Sequence, residues 1–162
     1  ATRAPLIIAG PGIKSGKTSS LTEFVDVFPT ICDLAGVAIP KNLDGKSLKP
    51  LMVKNTASVK DFSISQYPRK LKKLQMAKIG YTNANMMGYS LRTDKYRYTI
   101  WMNNFTSKDT FNESQVYASE LYDYVKDPLE KVNVVNDKNY TTTSAALKSK
   151  MIAFFKSQEM KQ

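Results

Sequence analysis

Hydrophobic residues in the first third of the chain form one continuous run and one helical pattern. Residues 6–9 (LIIA) are uninterrupted and apolar, which is typical of a strand buried on both faces, as in a parallel sheet. Residues 21–36 then place apolar side chains at helical spacing, with Thr22 and Asp26 as candidate N-caps and Gly36 as the stop. A parallel strand needs neighbours, and no matching run follows. We therefore expect the chain to be the C-terminal part of a longer protein.

The rest of the chain changes to the alternating period of β-strands. Residues 37–51 contain prolines and polar residues, which predicts an extended surface loop. Four antiparallel strands are then predicted at residues 61–67, 87–92, 96–102 and 119–124. A final helix, capped by Thr143 or Ser144, carries its apolar residues on one face, namely Leu147, Met151, Phe154 and Phe155.

These elements predict an α+β architecture. A small four-stranded antiparallel sheet with a packed C-terminal helix forms a two-layer unit, preceded by the strand and helix of a larger N-terminal sheet domain. We place the boundary so that residues 1–52 belong to the larger domain and residues 53–162 form a C-terminal subdomain.

The composition narrows the classes of partner and chemistry. The 162 residues include 24 Lys and Arg against 14 Asp and Glu, a net charge of +10, which favours nucleic acid, a membrane surface or a sulfated or phosphorylated ligand. The same charge also suits a surface that only keeps the protein soluble. The absence of histidine removes the commonest general base and metal ligand, and the one cysteine, Cys32, excludes an internal disulfide. No apolar stretch reaches the roughly 18 residues that span a membrane.

The third predicted antiparallel strand carries the clearest candidate chemistry. Tyr96, Tyr98, Ile100 and Met102 share one face, which we assign to the core, while Arg97 and Trp101 share the other. A guanidinium beside an indole either packs by cation–π contact or forms half of a pocket for an anionic sugar. Packing is the simpler interpretation. The structural alternative for Arg92 and Arg97 is pairing within the sheet with Asp94, Glu120 or Asp123, and we favour it for Arg92.

Four blocks of sequence, in this order, resemble type I sulfatases, which belong to the alkaline phosphatase superfamily, and are closest to iduronate-2-sulfatase-like members. The blocks are APLIIAGPGI (4–13), LTEFVDVFPTICDLAGVAIPKNLDGKSLKPLM (21–52), SQYPR (65–69) with MGYSLRTDKYRYTIWM (87–102), and SELYDYVKDPLEKVNVVND (119–137). The resemblance covers most of the chain and implies that residues 6–9 are the last long strand of the large sulfatase sheet.

The resemblance implies that the parent enzyme hydrolyses sulfate esters, of a sulfated sugar or glycosaminoglycan such as a 2-O-sulfated uronic acid. Sulfatases use calcium and a formylglycine made from Cys or Ser in a C/S-x-P-x-R motif, and Cys32 is followed by Asp33-Leu34 instead. The resemblance therefore implies no catalytic residue, no metal ligand and no cofactor in this chain, which should be inert alone. Its partners would be the N-terminal catalytic domain and a sulfated saccharide, and neither nucleic acid nor a membrane.

The same resemblance implies that the chain shapes the substrate cleft through the loop between its first two antiparallel strands. Lys78 is the nearest match to a lysine that contacts the substrate carboxylate in iduronate-type enzymes, and Arg69 follows the matched SQYP motif. Arg97 and Trp101 complete the candidate substrate-binding residues. We expect an exported protein, in the bacterial periplasm or outside the cell, or in the lysosome if eukaryotic. A carbohydrate-binding module for anionic polysaccharides, or part of a phosphodiesterase or phosphonate hydrolase of the same superfamily, are the alternatives.

Overall fold

A computed structural model describes residues 4–53, 58–70, 72, 85–103 and 111–159. The chain divides into two compact units, residues 1–63 and residues 64–162. The assignment of residues 1–52 to a larger catalytic domain stays a prediction. Within the described ranges, no helix combines the length and the apolar character needed to cross a membrane.

The first unit begins with irregular backbone. Residues 4–10 have no regular secondary structure, and the Ile7 side chain is 89% exposed. The strand expected at residues 6–9 is therefore not formed within this chain. A strand is held by backbone hydrogen bonds to a neighbouring strand, and no described strand pairs with this segment.

The helix expected at residues 21–36 is present but shorter. A 3₁₀ turn at Phe24–Asp26 leads into α1 (Val27–Leu34), and Gly36 ends it with a φ of 70°, a left-handed conformation that glycine adopts without strain. The expected surface loop at residues 37–51 is interrupted by a short helix, α2 (Lys49–Val53). Pro50 lies in the first turn of α2, where its missing N–H costs no helical hydrogen bond.

The second unit is built on the predicted four-stranded antiparallel sheet. Its strands lie in the order β1-β2-β3-β4, namely β1 (Ser63–Lys70), β2 (Asn85–Arg92), β3 (Tyr96–Asn103) and β4 (Val116–Asp123). β3 pairs antiparallel with both β2 and β4. Each strand lies within three residues of the predicted position.

The final helix covers one face of this sheet. It is α3 (Thr141–Glu159), and it begins before the predicted caps Thr143 and Ser144 because a 3₁₀ turn at Lys138–Tyr140 leads into it. The Asp137 side chain caps that turn by accepting a hydrogen bond of 2.8 Å from the Asn139 N–H.

The predicted core face is confirmed by burial. Phe155 of α3 meets Tyr89 of β2 edge-on, with ring centroids 4.9 Å apart. The buried residues from the sheet and the helix include Leu91, Tyr98, Ile100, Met102, Leu121, Leu147 and Met151. The sheet residues among them lie on the side that faces α3, so the opposite side of the sheet is not part of this core.

Candidate binding face of the sheet

The side of the sheet opposite α3 carries a mixture of aromatic, cationic and acidic residues, which we call the polar face. The register of β2, β3 and β4 sets Arg92 opposite Arg97, Gly88 opposite Trp101 and Thr99 opposite Glu120. Two like charges that face each other across a strand pair repel. Arg92 and Arg97 therefore need aromatic and acidic neighbours to offset this repulsion. The polar face consists of Tyr67, Arg69, Gly88, Ser90, Arg92, Arg97, Thr99, Trp101, Glu120 and Tyr122.

Trp101 is held from three directions. Its indole Nε1 donates a hydrogen bond of 2.8 Å to Oε1 of Glu120 on β4. The guanidinium carbon of Arg69 lies over the ring, 5.5 Å from the centroid. Beneath the ring is Gly88, where a Cβ atom would come within 2.6 Å of the indole. Only glycine therefore leaves room for the ring to lie flat against β2.

Glu120 is the carboxylate that anchors the indole, and it has a second donor. The hydroxyl of Tyr122 donates to its Oε2 at 3.2 Å. Burial, together with the negative charge of Glu120, raises the pKa of Tyr122 above its ordinary value of 10.0. The phenol therefore stays protonated at physiological pH and continues to donate.

Arg97 does not use any of the three carboxylates that the sequence suggested. Its Nε donates to Glu130 Oε1 at 2.8 Å, and its Nη2 donates to the other carboxylate oxygen, so that the pair is bidentate. Its guanidinium also lies 4.8 Å from the centroid of the Tyr122 ring. The acidic partner of Arg97 is therefore Glu130, which the turn after β4 brings back onto the face, and not one of the three carboxylates of the structural alternative.

Arg92 is placed against an aromatic ring. Its guanidinium carbon lies 3.6 Å from the centroid of Tyr124, whose hydroxyl donates to Glu130. Glu130 thus joins Arg97 to the aromatic support of Arg92. Its backbone φ of 56° is unusual for a residue other than glycine, and it marks the point where the turn is drawn toward the sheet.

The four predicted binding residues have different positions in this arrangement. Arg69 and Trp101 are in direct contact, whereas Arg97 reaches Trp101 only through Tyr122 and Glu120. Lys78 lies outside the described residues. The predicted neighbourhood of an arginine and Trp101 is present, but the arginine is Arg69 of β1.

Glu120 was predicted only as a possible partner of the arginines, and no role was predicted for Glu130 or Tyr67 on the face. A signal for the two glutamates was available, because both lie in the block at residues 119–137 that resembles sulfatases. A signal for Tyr67 was its position two residues before Arg69 on one strand, which places both on one face. Tyr67 is 65% exposed.

The described residues do not fit the calcium ion that the resemblance implies for a parent sulfatase. Among them, no three or more His, Cys, Asp and Glu side chains are grouped so that they could hold a metal ion. The carboxylates of Glu120 and Glu130 are occupied by indole, phenol and guanidinium donors.

Comparison with known proteins gives agreement along almost the whole chain. A family model described as "N-sulphoglucosamine sulphohydrolase, C-terminal" matches residues 1–157. Arylsulfatase K of Rattus norvegicus is 31% identical over 134 residues, which cover 82% of this chain and 21% of that protein. Iduronate 2-sulfatase of Mus musculus is 32% identical over 161 residues, which cover 85% of this chain and 29% of that protein.

A solved structure described as a 2-O GAG sulfatase shares the fold. Its TM-score is 0.65 at 26% identity, and the match covers 93% of this chain and 29% of that chain. The chain thus spans between 21% and 29% of the length of these three proteins.

Proposed function

Because the chain belongs to the sulfatases, as a member of the N-sulphoglucosamine sulphohydrolase C-terminal family, we propose that it serves an enzyme that hydrolyses sulfate esters of anionic saccharides. The substrate class that we propose is a sulfated glycosaminoglycan unit, such as a 2-O-sulfated uronic acid. The observation that carries this proposal is the match to iduronate 2-sulfatase over 85% of the chain. The similar solved structure is that of a 2-O GAG sulfatase, which supports the same position of the sulfate.

We propose that the catalytic chemistry belongs to a larger N-terminal portion of the same protein. In sulfatases a formylglycine and a bound cation supply the nucleophile and the charge stabilisation at sulfur. The described residues offer no group of side chains for such a cation. The part of this chain is then to complete and shape the substrate cleft. We further propose that the protein is exported.

The surface of α1 supports a partner of this kind. Phe24, Phe28 and Ile31 follow one another at spacings of four and three residues, so they share one side of the helical segment. All three are exposed, Phe24 to 78%. A row of large apolar side chains in water is typical of a surface that another domain covers. We propose that the N-terminal portion of the sulfatase covers this row.

Four residues are proposed to line the saccharide side of the cleft, namely Arg69, Lys78, Arg97 and Trp101. The polar face supports this assignment for Arg69, which is exposed at the β1 edge of the sheet. Arg97 forms a bidentate ion pair with Glu130, so its proposed role in the cleft is to hold the aromatic side chains of the face in place. The role of Lys78 stays a prediction.

The proposed function is tested with the full-length protein that contains this chain. We expect it to release sulfate from a 2-O-sulfated unsaturated uronate disaccharide, and to do so faster than from the corresponding 6-O-sulfated disaccharide. Sulfate release is followed by ion chromatography. Cleavage of a phosphonate monoester with no cleavage of either sulfate ester would support the alternative superfamily activity and refute the proposal.

A further inference from the structure

We propose that Arg69, stacked on Trp101 and positioned through Glu120, binds a carboxylate or sulfate group of the saccharide other than the sulfate that is removed. This inference rests on the proposed function, and it names the chemical group that one edge of the polar face recognises. It also assigns positioning roles to Trp101 and Glu120.

The first observation is the way in which Arg69 is held. Its guanidinium carbon lies over the Trp101 ring, 5.5 Å from the centroid, which is within the range of a cation–π contact. Such a contact does not use up the five N–H donors of a guanidinium, so they can still donate to an acceptor. Arg69 is exposed, and within the described residues no carboxylate forms an ion pair with it.

The second observation is the contrast with Arg97 on the same face. Arg97 also lies against an aromatic ring, that of Tyr122, but the edge of its guanidinium formed by Nε and Nη2 is paired with both carboxylate oxygens of Glu130. The two arginines therefore share an aromatic support and differ in having an acidic partner among the described residues. Arg97 thus stabilises the sheet through Glu130, whereas Arg69 also lies against an aromatic ring but is exposed to solvent.

The third observation is that the support of Arg69 is itself fixed. The indole N–H of Trp101 donates a hydrogen bond of 2.8 Å to Glu120, which anchors the ring. Glu120 is held in turn by the hydroxyl of Tyr122. Fixing a long side chain before a ligand arrives lowers the conformational entropy that binding must overcome. Glu120 therefore acts on the ligand only through Trp101 and Arg69.

The fourth observation concerns what the ligand would meet beside Arg69. Tyr67 precedes Arg69 by two residues on β1, lies on the same face and is 65% exposed. A sugar ring packs well on an exposed aromatic side chain, because its C–H groups form an apolar surface. An aromatic ring next to an outward guanidinium suits an anionic sugar better than an isolated phosphate or sulfate ion.

The test uses the full-length protein and the product disaccharide, which keeps its carboxylate and a 6-O-sulfate but has no 2-O-ester left to cleave. Isothermal titration calorimetry gives the dissociation constant. We expect Arg69→Gln to raise it about tenfold, the typical loss for one charge-assisted hydrogen-bonding pair. Lys70→Gln is the matched control, because the next residue of the strand points to the opposite face; it should change the constant less than about twofold.

Glu120 is tested by a conservative and a disruptive change. Glu120→Gln keeps an oxygen that accepts the indole N–H, so we expect the dissociation constant to stay within about threefold. Glu120→Leu removes the acceptor and should raise the constant most of the way toward the value for Arg69→Gln. Thermal denaturation of each variant separates this effect from unfolding. Should Glu120→Leu not fold, the contrast between Arg69→Gln and Lys70→Gln still decides the proposal.

Two further ligands identify the anion. If Arg69 binds the carboxylate, the effect of Arg69→Gln disappears with the methyl ester of the disaccharide; if it binds the sulfate, the effect disappears with the 6-O-desulfated compound. Equal weakening by Arg69→Gln and Lys70→Gln would overturn the proposal, because only general electrostatic attraction would remain. Failure of the proposed function is a separate result, since it appears as absent sulfate release while binding of the product disaccharide still reports on Arg69.

Discussion

At the residue scale, the block at residues 119–137 owes its composition to contacts within the second unit. Leu121 is buried in the core, and its backbone N–H donates at 2.9 Å to the side chain of Asn133. The Val134 N–H returns a hydrogen bond of 2.9 Å to the Leu121 carbonyl, so the segment after the turn covers the outer edge of β4. The Asp127 side chain accepts the Val132 N–H at 2.9 Å and shapes the turn. This block of the sulfatase resemblance is therefore a structural signature.

Asp123 is the residue of this block whose role depends most on pH. It is buried and accepts hydrogen bonds from the Tyr140 hydroxyl at 2.8 Å and from the backbone of Val125 and Lys126. Burial by itself raises the pKa of Asp123, but these hydrogen bonds outweigh it, and the pKa lies below its ordinary value of 3.8. Because the folded pKa is the lower one, the ionised carboxylate stabilises the fold above pH 3.8, and this contribution is lost as pH falls further.

We therefore expect Asp123→Asn to be destabilising at neutral pH and progressively less so in acid. At pH 7 the loss should be about 1–3 kcal/mol of unfolding free energy, the usual range for a buried group that loses its hydrogen-bond partner. Urea unfolding of both proteins at a series of pH values measures the difference. A difference that stays constant from neutral pH to well below 3.8 would contradict this account.

At the element scale, the first unit is held together by side chains that connect α1 to the loop before α2. Asp26 is fully buried and accepts the N–H groups of Glu23 at 2.8 Å and Lys46 at 2.9 Å. Lys60 reaches the same carboxylate at 2.6 Å, and its side chain is only 7% exposed. Thr30 accepts the Leu48 N–H at 2.9 Å from the next turn of the helix.

A glycine completes this connection. A Cβ atom at Gly45 would lie 1.9 Å from the Val25 carbonyl oxygen, so no other residue fits there without movement of the backbone. The polar residues and the glycine of the block at residues 21–52 thus hold the loop before α2 against the helical segment that contains α1. Asp26, a candidate N-cap, does not cap α1, because its side chain accepts no hydrogen bond from an N–H of that helix, and its carboxylate instead accepts the N–H groups of Glu23 and Lys46.

We expect Asp26→Ala to unfold the first unit locally. The buried Lys60 ammonium would keep Glu23 as a partner but lose Asp26, and the N–H groups of Glu23 and Lys46 would lose this acceptor. The loss should be about 3–5 kcal/mol, as for other buried ion pairs that lose one member. Hydrogen exchange of the α1 amides measures it. Lys49→Ala is the control, since the Lys49–Asp33 pair is more than 30% exposed on both sides and should contribute less than about 1 kcal/mol. Equal losses of protection in the two variants would count against the buried network.

At the scale of the whole molecule, the chain combines a net charge of +10 with apolar groups that it does not cover. The basic charge suits the anionic saccharide of the proposed function, and the row formed by Phe24, Phe28 and Ile31 suits the proposed N-terminal portion. The chain spans 29% or less of the length of the similar proteins, which agrees with the proposal that it is part of a longer protein.

We expect the combined change Phe24→Ser, Phe28→Ser and Ile31→Ser to have different effects in the 162-residue chain and in the full-length protein. In the 162-residue chain it should reduce self-association, because exposed apolar area drives non-specific contacts. In the full-length protein it should lower the unfolding free energy, by about 1.5–3 kcal/mol for each side chain that is buried there. Sedimentation velocity and urea unfolding measure the two effects. A full-length protein that is unaffected would refute the proposed cover over α1.

Local sequence pattern was enough to predict the four strands of the sheet, the final helix and the faces that they bury. Alternation of side chains along β3 and helical spacing along α3 identified the core residues, and Gly36 identified the end of α1, because these signals depend only on local periodicity and backbone preference. The segment at residues 6–9 shows the limit of such signals. Its pattern is that of a buried strand, but a strand exists only where another strand accepts its hydrogen bonds.

Which charged side chains pair with each other depends on the folded chain and has no local sequence signal. The partners Arg97 and Glu130 lie 33 residues apart, and Lys60 lies 34 residues from Asp26. Such pairs depend on strand register and on turns, including the left-handed backbone of Glu130, and these have no periodic signal. The position of Arg69 over Trp101 has the same origin, because the order β1-β2-β3 sets how far the arginine must reach across Gly88. Sequence pattern thus identified the residues with candidate chemistry, and folding paired Arg97 with Glu130 and placed Arg69 over Trp101.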